Sequence, residues 1–355
     1  MSKKIAFCAD GTWQTATDDT NVYRLFNSIP PTGSQVAYYD KGVGTSGNLL
    51  ERLIGGATGE GLFQVIRDGY TKIAHSWNAG DETHPGDELF LFGFSRGAYT
   101  ARSLAGMIAV CGLPAVNDFP DSLITTAFNA YRNRDQRDQL LATLAPYKMT
   151  PATIRMVGVW DTVGSLGIPA LFGNVDPIRY GFLSPSLHPD IKNAVQALAI
   201  DERRQQFPPT LWTTQAPGQN VDQVWFTGVH GDVGGGYPPE QNGAALFDIT
   251  FAWMLSKIAG LGELGLTIAP EVLAKYRLPV DAGIALKTKH ESWNPEWLLP
   301  KHRDIDAEAT LADSVAFRCA NDATYRPPNL NFSNGALSSE YPLENVVRTQ
   351  SAAAG

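Results

Sequence analysis

Glu88-Leu89-Phe90-Leu91-Phe92-Gly93-Phe94-Ser95-Arg96-Gly97-Ala98-Tyr99-Thr100-Ala101-Arg102 is the stretch on which the reading of the fold turns. It opens with five residues, Glu88 to Phe92, that read as a buried strand. Ala98, Ala101, Leu104, Ala105 and Ile108 then recur at helical spacing, and Gly112 closes that pattern. Between strand and helix stands Gly-x-Ser-x-Gly. In that context the motif reads as a nucleophile elbow with Ser95 at its tip. The turn must be sharp, which crowds the backbone two residues either side of the serine. Glycine lacks the Cβ that would collide there. The plainer alternative is a glycine-flanked turn capped by Ser95.

Working outward, strand patterns alternate with helical ones. Lys4–Ala9 is an apolar run that stops at Asp10-Gly11-Thr12, and Gln35–Tyr39 reads as a second strand. Leu62, Phe63, Ile66, Tyr70, Ile73 and Trp77 mark one face of a helix. Ile154–Trp160 reads as a strand ending at Asp161, and Val195–Ile200 fits helix or strand. Val224–Phe226 leads into His230, and Ala244–Ile258 is helical. Such alternation implies βαβ units on a mainly parallel sheet flanked by helices. The expected division is a catalytic core over 1–262 and a C-terminal extension over 263–355, packed on the core or forming part of a cap.

The chain has 355 residues, 43% hydrophobic and 18% charged, with a net charge of −8. An acidic chain without a Lys/Arg cluster does not suit nucleic acid. Cys8, Cys111 and Cys319 show no paired spacing, so no disulfide framework is expected. No Cys/His set has metal-ligand spacing, and no metal or cofactor is expected. The Gly42–Gly61 stretch lacks the P-loop pattern and reads as a loop near the site. The N-terminal apolar run is too short for a signal peptide, and no run suffices to span a bilayer. A cytoplasmic protein is the expectation, with signal-independent export left open.

A serine nucleophile needs a base and an acid, in the order Ser, Asp or Glu, His on this fold. His230 ends a strand and enters Gly231-Asp232-Val233-Gly234-Gly235-Gly236-Tyr237, a glycine-rich loop able to bring backbone close to a substrate. For the acid, Asp161 ends a strand abruptly, and Asp201 ends Leu198-Ala199-Ile200-Asp201. Asp232 suits a role in shaping the His230 loop. The oxyanion donors expected are the N–H of Arg96 and one from Gly11 or Thr12. Asp10 either orients that loop or makes a simple Asx turn.

Six ordered motifs carry a resemblance to a known family. They are Asp10-Gly11-Thr12-Trp13, Tyr39-Asp40-Lys41-Gly42-Val43-Gly44-Thr45, the elbow through Arg102, Gly158-Val159-Trp160-Asp161-Thr162-Val163-Gly164, Asp201-Glu202-Arg203-Arg204, and Trp225 through Tyr237. Residues 3 to 260 resemble the catalytic domain of the type VI secretion phospholipase effectors of the first lipase class. The resemblance implies an α/β-hydrolase fold, ester hydrolysis, and Ser95, Asp161 and His230 as triad; it favours Asp161 over Asp201. Two departures stand out. Gln196 occupies a position where the family often has histidine, and the chain has little room for the membrane-associating segments of longer effectors. The partner expected is an ester or lipid substrate, with membrane-surface contact only if that substrate is a phospholipid. A binding module without catalysis, or an acyltransferase or amidase using the same triad, are the competing readings.

Overall fold

The computed structural model describes residues 2–11, 18–42, 59–116, 118–163, 187–238, 243–297 and 299–348. Thr12 and most of the Gly42–Gly61 stretch lie outside these residues. An eight-stranded sheet forms from β1 (Lys4–Ala9), β2 (Gln35–Asp40), β3 (Glu88–Phe94), β4 (Thr153–Trp160), β5 (Asn193–Ala199), β6 (Asn220–Phe226), β7 (Thr310–Ala312) and β8 (Leu343–Glu344). The strand order is β8-β7-β6-β5-β4-β3-β1-β2, and every pairing is parallel. The helices are α1 (Asn21–Asn27), α2 (Gly59–Ser76), α3 (Arg96–Cys111), α4 (Asp121–Arg132), α5 (Arg137–Thr143), α6 (His230–Gly234), α7 (Phe247–Ala259), α8 (Pro270–Lys275) and α9 (Asp313–Asn321).

Continuous apolar runs such as that of β3 follow from burial on both faces of a parallel sheet. Leu89 and Leu91 of β3, with Ile5, Phe7 and Ala9 of β1, pack under α2, α3 and α4. Phe90, Phe92 and Phe94, with Ala6 and Cys8, face the opposite layer, which holds Val22 and Leu25 of α1, much of α7, and Val315 of α9. Gly158 of β4 lies so close under α7 that an added Cβ would stand 2.7 Å from Met254 Sδ. Of Val195–Ile200, ambiguous in sequence, Val195–Ala199 belong to β5 and Ile200 follows its end. Cys8, Cys111 and Cys319 are free and buried.

Residues beyond 262 add β7 and β8 to the β6 edge of the sheet. Among the described residues, no helix is long and apolar enough to cross a membrane. The chain leaves β1 for β2 on one side and returns to β3 on the other. The carboxyl ends of β1 and β3 therefore flank a topological switch point, where open α/β sheets place their ligands.

Candidate active site

β3 ends one residue before Ser95, and α3 begins one residue after it. Ser95 takes φ 59° and ψ −124°, a conformation that costs of order 1–3 kcal/mol for a residue with a Cβ. The two flanking glycines make the turn feasible. A Cβ on Gly93 would lie 2.3 Å from Gly97 O, and one on Gly97 only 2.1 Å from Ala9 O. Ser95 N donates to Trp160 O at 3.1 Å, which ties the elbow to the end of β4. The first turn of α3 presents its positive dipole end beside Ser95.

Ser95 borders a cavity of about 180 Å³ together with Gly11, Arg96, Phe207, His230 and Tyr237. Ser95 and His230 are each 7% exposed, whereas Asp161 is fully buried. Expected to end a strand and enter a loop, His230 instead opens α6, four residues after β6 ends at Phe226. Two glycines of this segment serve packing and turning. Gly234 lies against Phe94, where a Cβ would approach the ring to 2.0 Å, and Gly228 takes φ +112°. The imidazole packs on Phe94 and Phe207, with ring centroids 4.5 and 5.1 Å away.

His230 Nδ1 stands 2.5 Å from Asp161 Oδ2. Asp161 follows β4 with φ 43°, and its Oδ1 accepts from Ala199 N at 3.0 Å. Arg303 grips the same carboxylate with a fork: Nη1 to Oδ1 at 2.6 Å and Nη2 to Oδ2 at 2.9 Å. The two nitrogens also donate to Ala199 O and Phe207 O. Burial alone would raise the pKa of Asp161. The Arg303 charge and the His230 hydrogen bond outweigh it and hold the carboxyl well below its usual range. Burial lowers the pKa of His230 below 6.5, and the Asp161 interaction offsets this only in part. The ring is therefore neutral at pH 7. With Nδ1–H facing the carboxylate, Nε2 is left with its lone pair.

The other acidic candidates are placed elsewhere. Asp201 accepts from Gly228 N at 2.7 Å and Tyr325 Oη at 2.9 Å, bracing the approach to His230 without touching its ring. Asp232 accepts from Val229 N at the start of α6, and its other oxygen meets His290 Nδ1 at 2.6 Å. His290 in turn stacks on Tyr237, centroids 3.8 Å apart. Asp10 gathers Gly11 N at 2.7 Å, Thr20 Oγ1 at 2.5 Å and Tyr39 Oη at 2.8 Å. Burial pushes Asp10 up to about 6. Gly11 lines the cavity, but its N–H is committed to Asp10 in this structure, and Thr12 lies outside the described residues. Gln196, deep in β5, is held by Thr162 Oγ1, Thr210 O and Gln223 Oε1.

Sequence reasoning missed Arg303 and Glu202 and gave His290 no role in the site. Glu202 is buried, accepts from His230 N at 3.3 Å and from Arg204, and is held near 2; burial opposes this, but the Arg204 hydrogen bond and charge prevail. The Asp201-Glu202-Arg203-Arg204 run was a usable signal for Glu202. Nothing local marks Arg303 or His290, which come from the weakly patterned C-terminal third. Among the described residues, no group of three His, Cys, Asp or Glu could hold a metal.

Residues 3–257 match the sequence profile of the family described as "T6SS, Phospholipase effector Tle1-like, catalytic domain". An uncharacterised protein of Saccharomyces cerevisiae is 27% identical over 240 residues, covering 59% of this chain and 33% of that protein. Among solved structures, an uncharacterised protein from Pseudomonas aeruginosa superposes with TM-score 0.45 at 16% identity, over 78% of this chain and 49% of that one. A Tle1 effector bound to the VgrG spike of a type VI secretion system gives TM-score 0.37 at 17% identity, over 67% and 52%. The chain thus spans about a third of the yeast relative and about half of each of these two structures.

Proposed function

The chain belongs to the Tle1-like phospholipase effector catalytic-domain family, and from that premise we propose that it is a serine hydrolase cleaving carboxylic esters of lipids. One observation carries the reading. Ser95 sits strained on a strand–helix elbow and shares a cavity with His230, whose Nδ1 meets the buried Asp161.

In this reading Ser95 Oγ attacks the ester carbonyl carbon while His230 Nε2 takes its proton. Asp161 holds the ring in the tautomer that leaves Nε2 basic and stabilises the imidazolium once formed. Arg303 keeps Asp161 ionised and fixes its plane. The oxyanion forms beside the N-terminus of α3, where the Arg96 N–H is the donor adjacent to the nucleophile. Collapse expels the alkoxide, which takes the proton from His230. Water then attacks the acyl-enzyme with His230 as base, and release of the carboxylic acid restores Ser95. Contact with a membrane surface is part of the proposal only for a phospholipid substrate.

The test is a substrate panel of short-chain p-nitrophenyl esters, triglyceride emulsions and phospholipid vesicles, run with wild type and Ser95→Ala. Ester turnover by wild type and its loss in Ser95→Ala support the reading. No turnover of any ester, or equal turnover by both proteins, contradicts it.

A further inference from the structure

A second cavity, of about 340 Å³, lies along α3 away from the elbow. Arg102 borders it, seven residues beyond Ser95 and hence about 10 Å further along the helix axis. Arg134, Arg137, His188, Ile191 and Trp212 border it too, and no carboxylate is among its described lining residues. Arg102 is 4% exposed. Its Nη1 donates to Thr210 O at 2.5 Å, and its guanidinium lies over Trp212, 4.3 Å from the ring centroid. Its Nε and Nη2 are buried with no hydrogen-bond partner, and its charged neighbours among the described residues include no carboxylate.

A buried cation without a counter-charge is costly, and each buried N–H donor left without an acceptor adds to that cost. Arg102 has both features, beside a space large enough to hold what is missing. Arg137 is already oriented: its Nε and Nη2 donate to Ala130 O and Tyr131 O at the end of α4. Arg134 is exposed at the cavity mouth. His188 Nδ1 lies 3.5 Å from Asp190 Oδ2. Three guanidiniums around one cavity match the several oxygens and the double charge of a phosphate better than a single carboxylate. The volume exceeds that of a bare ion, and Trp212 and Ile191 supply an apolar wall for an organic group.

We propose that Arg102, Arg134 and Arg137 form a binding site for a phosphate monoester, separate from the Ser95 cavity. The ester is either a free small molecule or the headgroup of a lipid. The site is independent of whether Ser95 is a nucleophile.

The test is calorimetric titration of the full chain with inorganic phosphate and with glycerol 3-phosphate, alongside sedimentation with phosphatidic acid vesicles. Glycerol 3-phosphate should bind saturably and more tightly than inorganic phosphate. Arg102→Met should weaken binding by about tenfold or more, the loss expected of a charged hydrogen-bonding group. Arg134→Gln alters an exposed residue and keeps the test valid if Arg102→Met does not fold; it should weaken binding several-fold. Vesicle binding without binding of the free ester assigns the site to a lipid headgroup. The proposal is overturned if none of the three phosphates binds, or if Arg134→Gln and a folded Arg102→Met bind as wild type does.

Discussion

Around His230 the charges are set by burial and by two carboxylates with guanidinium partners. Asp161 is paired with Arg303, and Glu202 with Arg204. Arg303→Met leaves Asp161 buried without its counter-charge. Breaking such a pair costs about 3–5 kcal/mol, so the denaturation midpoint should fall accordingly, with Arg303→Lys intermediate because it keeps the charge and loses the fork. An unchanged midpoint would remove Arg303 from the account. Asp161→Asn should lower kcat by about 10⁴-fold, the loss expected when the orienting carboxylate no longer selects the tautomer; Asp201→Asn, remote from the ring, should cost far less. For pH, the sign follows from His230. Its pKa lies below 6.5, and its protonated form cannot accept the Ser95 proton. Activity should therefore persist through pH 6.5 and fall at a lower pH, read from kcat/KM against pH. Folding stability should fall in the same direction, because the unfolded chain takes up the proton first. The motifs made Ser95, Asp161 and His230 legible as separate residues. Arg303 was not, since a lone arginine in a segment without periodicity has no local signature; only its meeting with Asp161 across 142 positions gives it meaning.

At the scale of elements, the elbow is the most constrained join in the chain. Gly97→Ala would place a Cβ 2.1 Å from the backbone oxygen of Ala9, which no rotamer change relieves. Overpacking of a close contact costs about 1–3 kcal/mol and occasionally more. Gly97→Ala should lie at or beyond the top of that range by thermal melting, and loss of activity should accompany it. A melt within a degree of wild type would show that α3 and β1 are less tightly apposed than described. The elements themselves were largely readable, because burial on both faces gives β1 and β3 long apolar runs and α2 a clean stripe. Where the reading was incomplete, a local pattern had two meanings. Val195–Ile200 is apolar except for Gln196 and fits either period. The glycines after His230 suggest a loop, whereas an Asp232 bond to Val229 N starts a helical turn.

The whole molecule joins the site to its C-terminal third. Residues beyond 262 complete one edge of the sheet with β7 and β8, and they deliver Arg303 to Asp161 and His290 to Asp232. A chain ending at residue 262 would uncover the β6 edge and leave both acids without these partners. It should give no cooperative melt and no ester turnover, and an active, folded truncation would show that the extension is dispensable. Little of this was visible in the sequence, because β7 and β8 are three and two residues long and too short to show a period. The central claim concerns the nucleophile of the intact chain. Its most direct measurement is treatment with a fluorophosphonate probe followed by mass mapping of the adduct. The account predicts a single adduct on Ser95, absent from Ser95→Ala and suppressed when His230 is replaced by alanine. Labelling of Ser95→Ala equal to wild type, or an adduct on another residue alone, would contradict it.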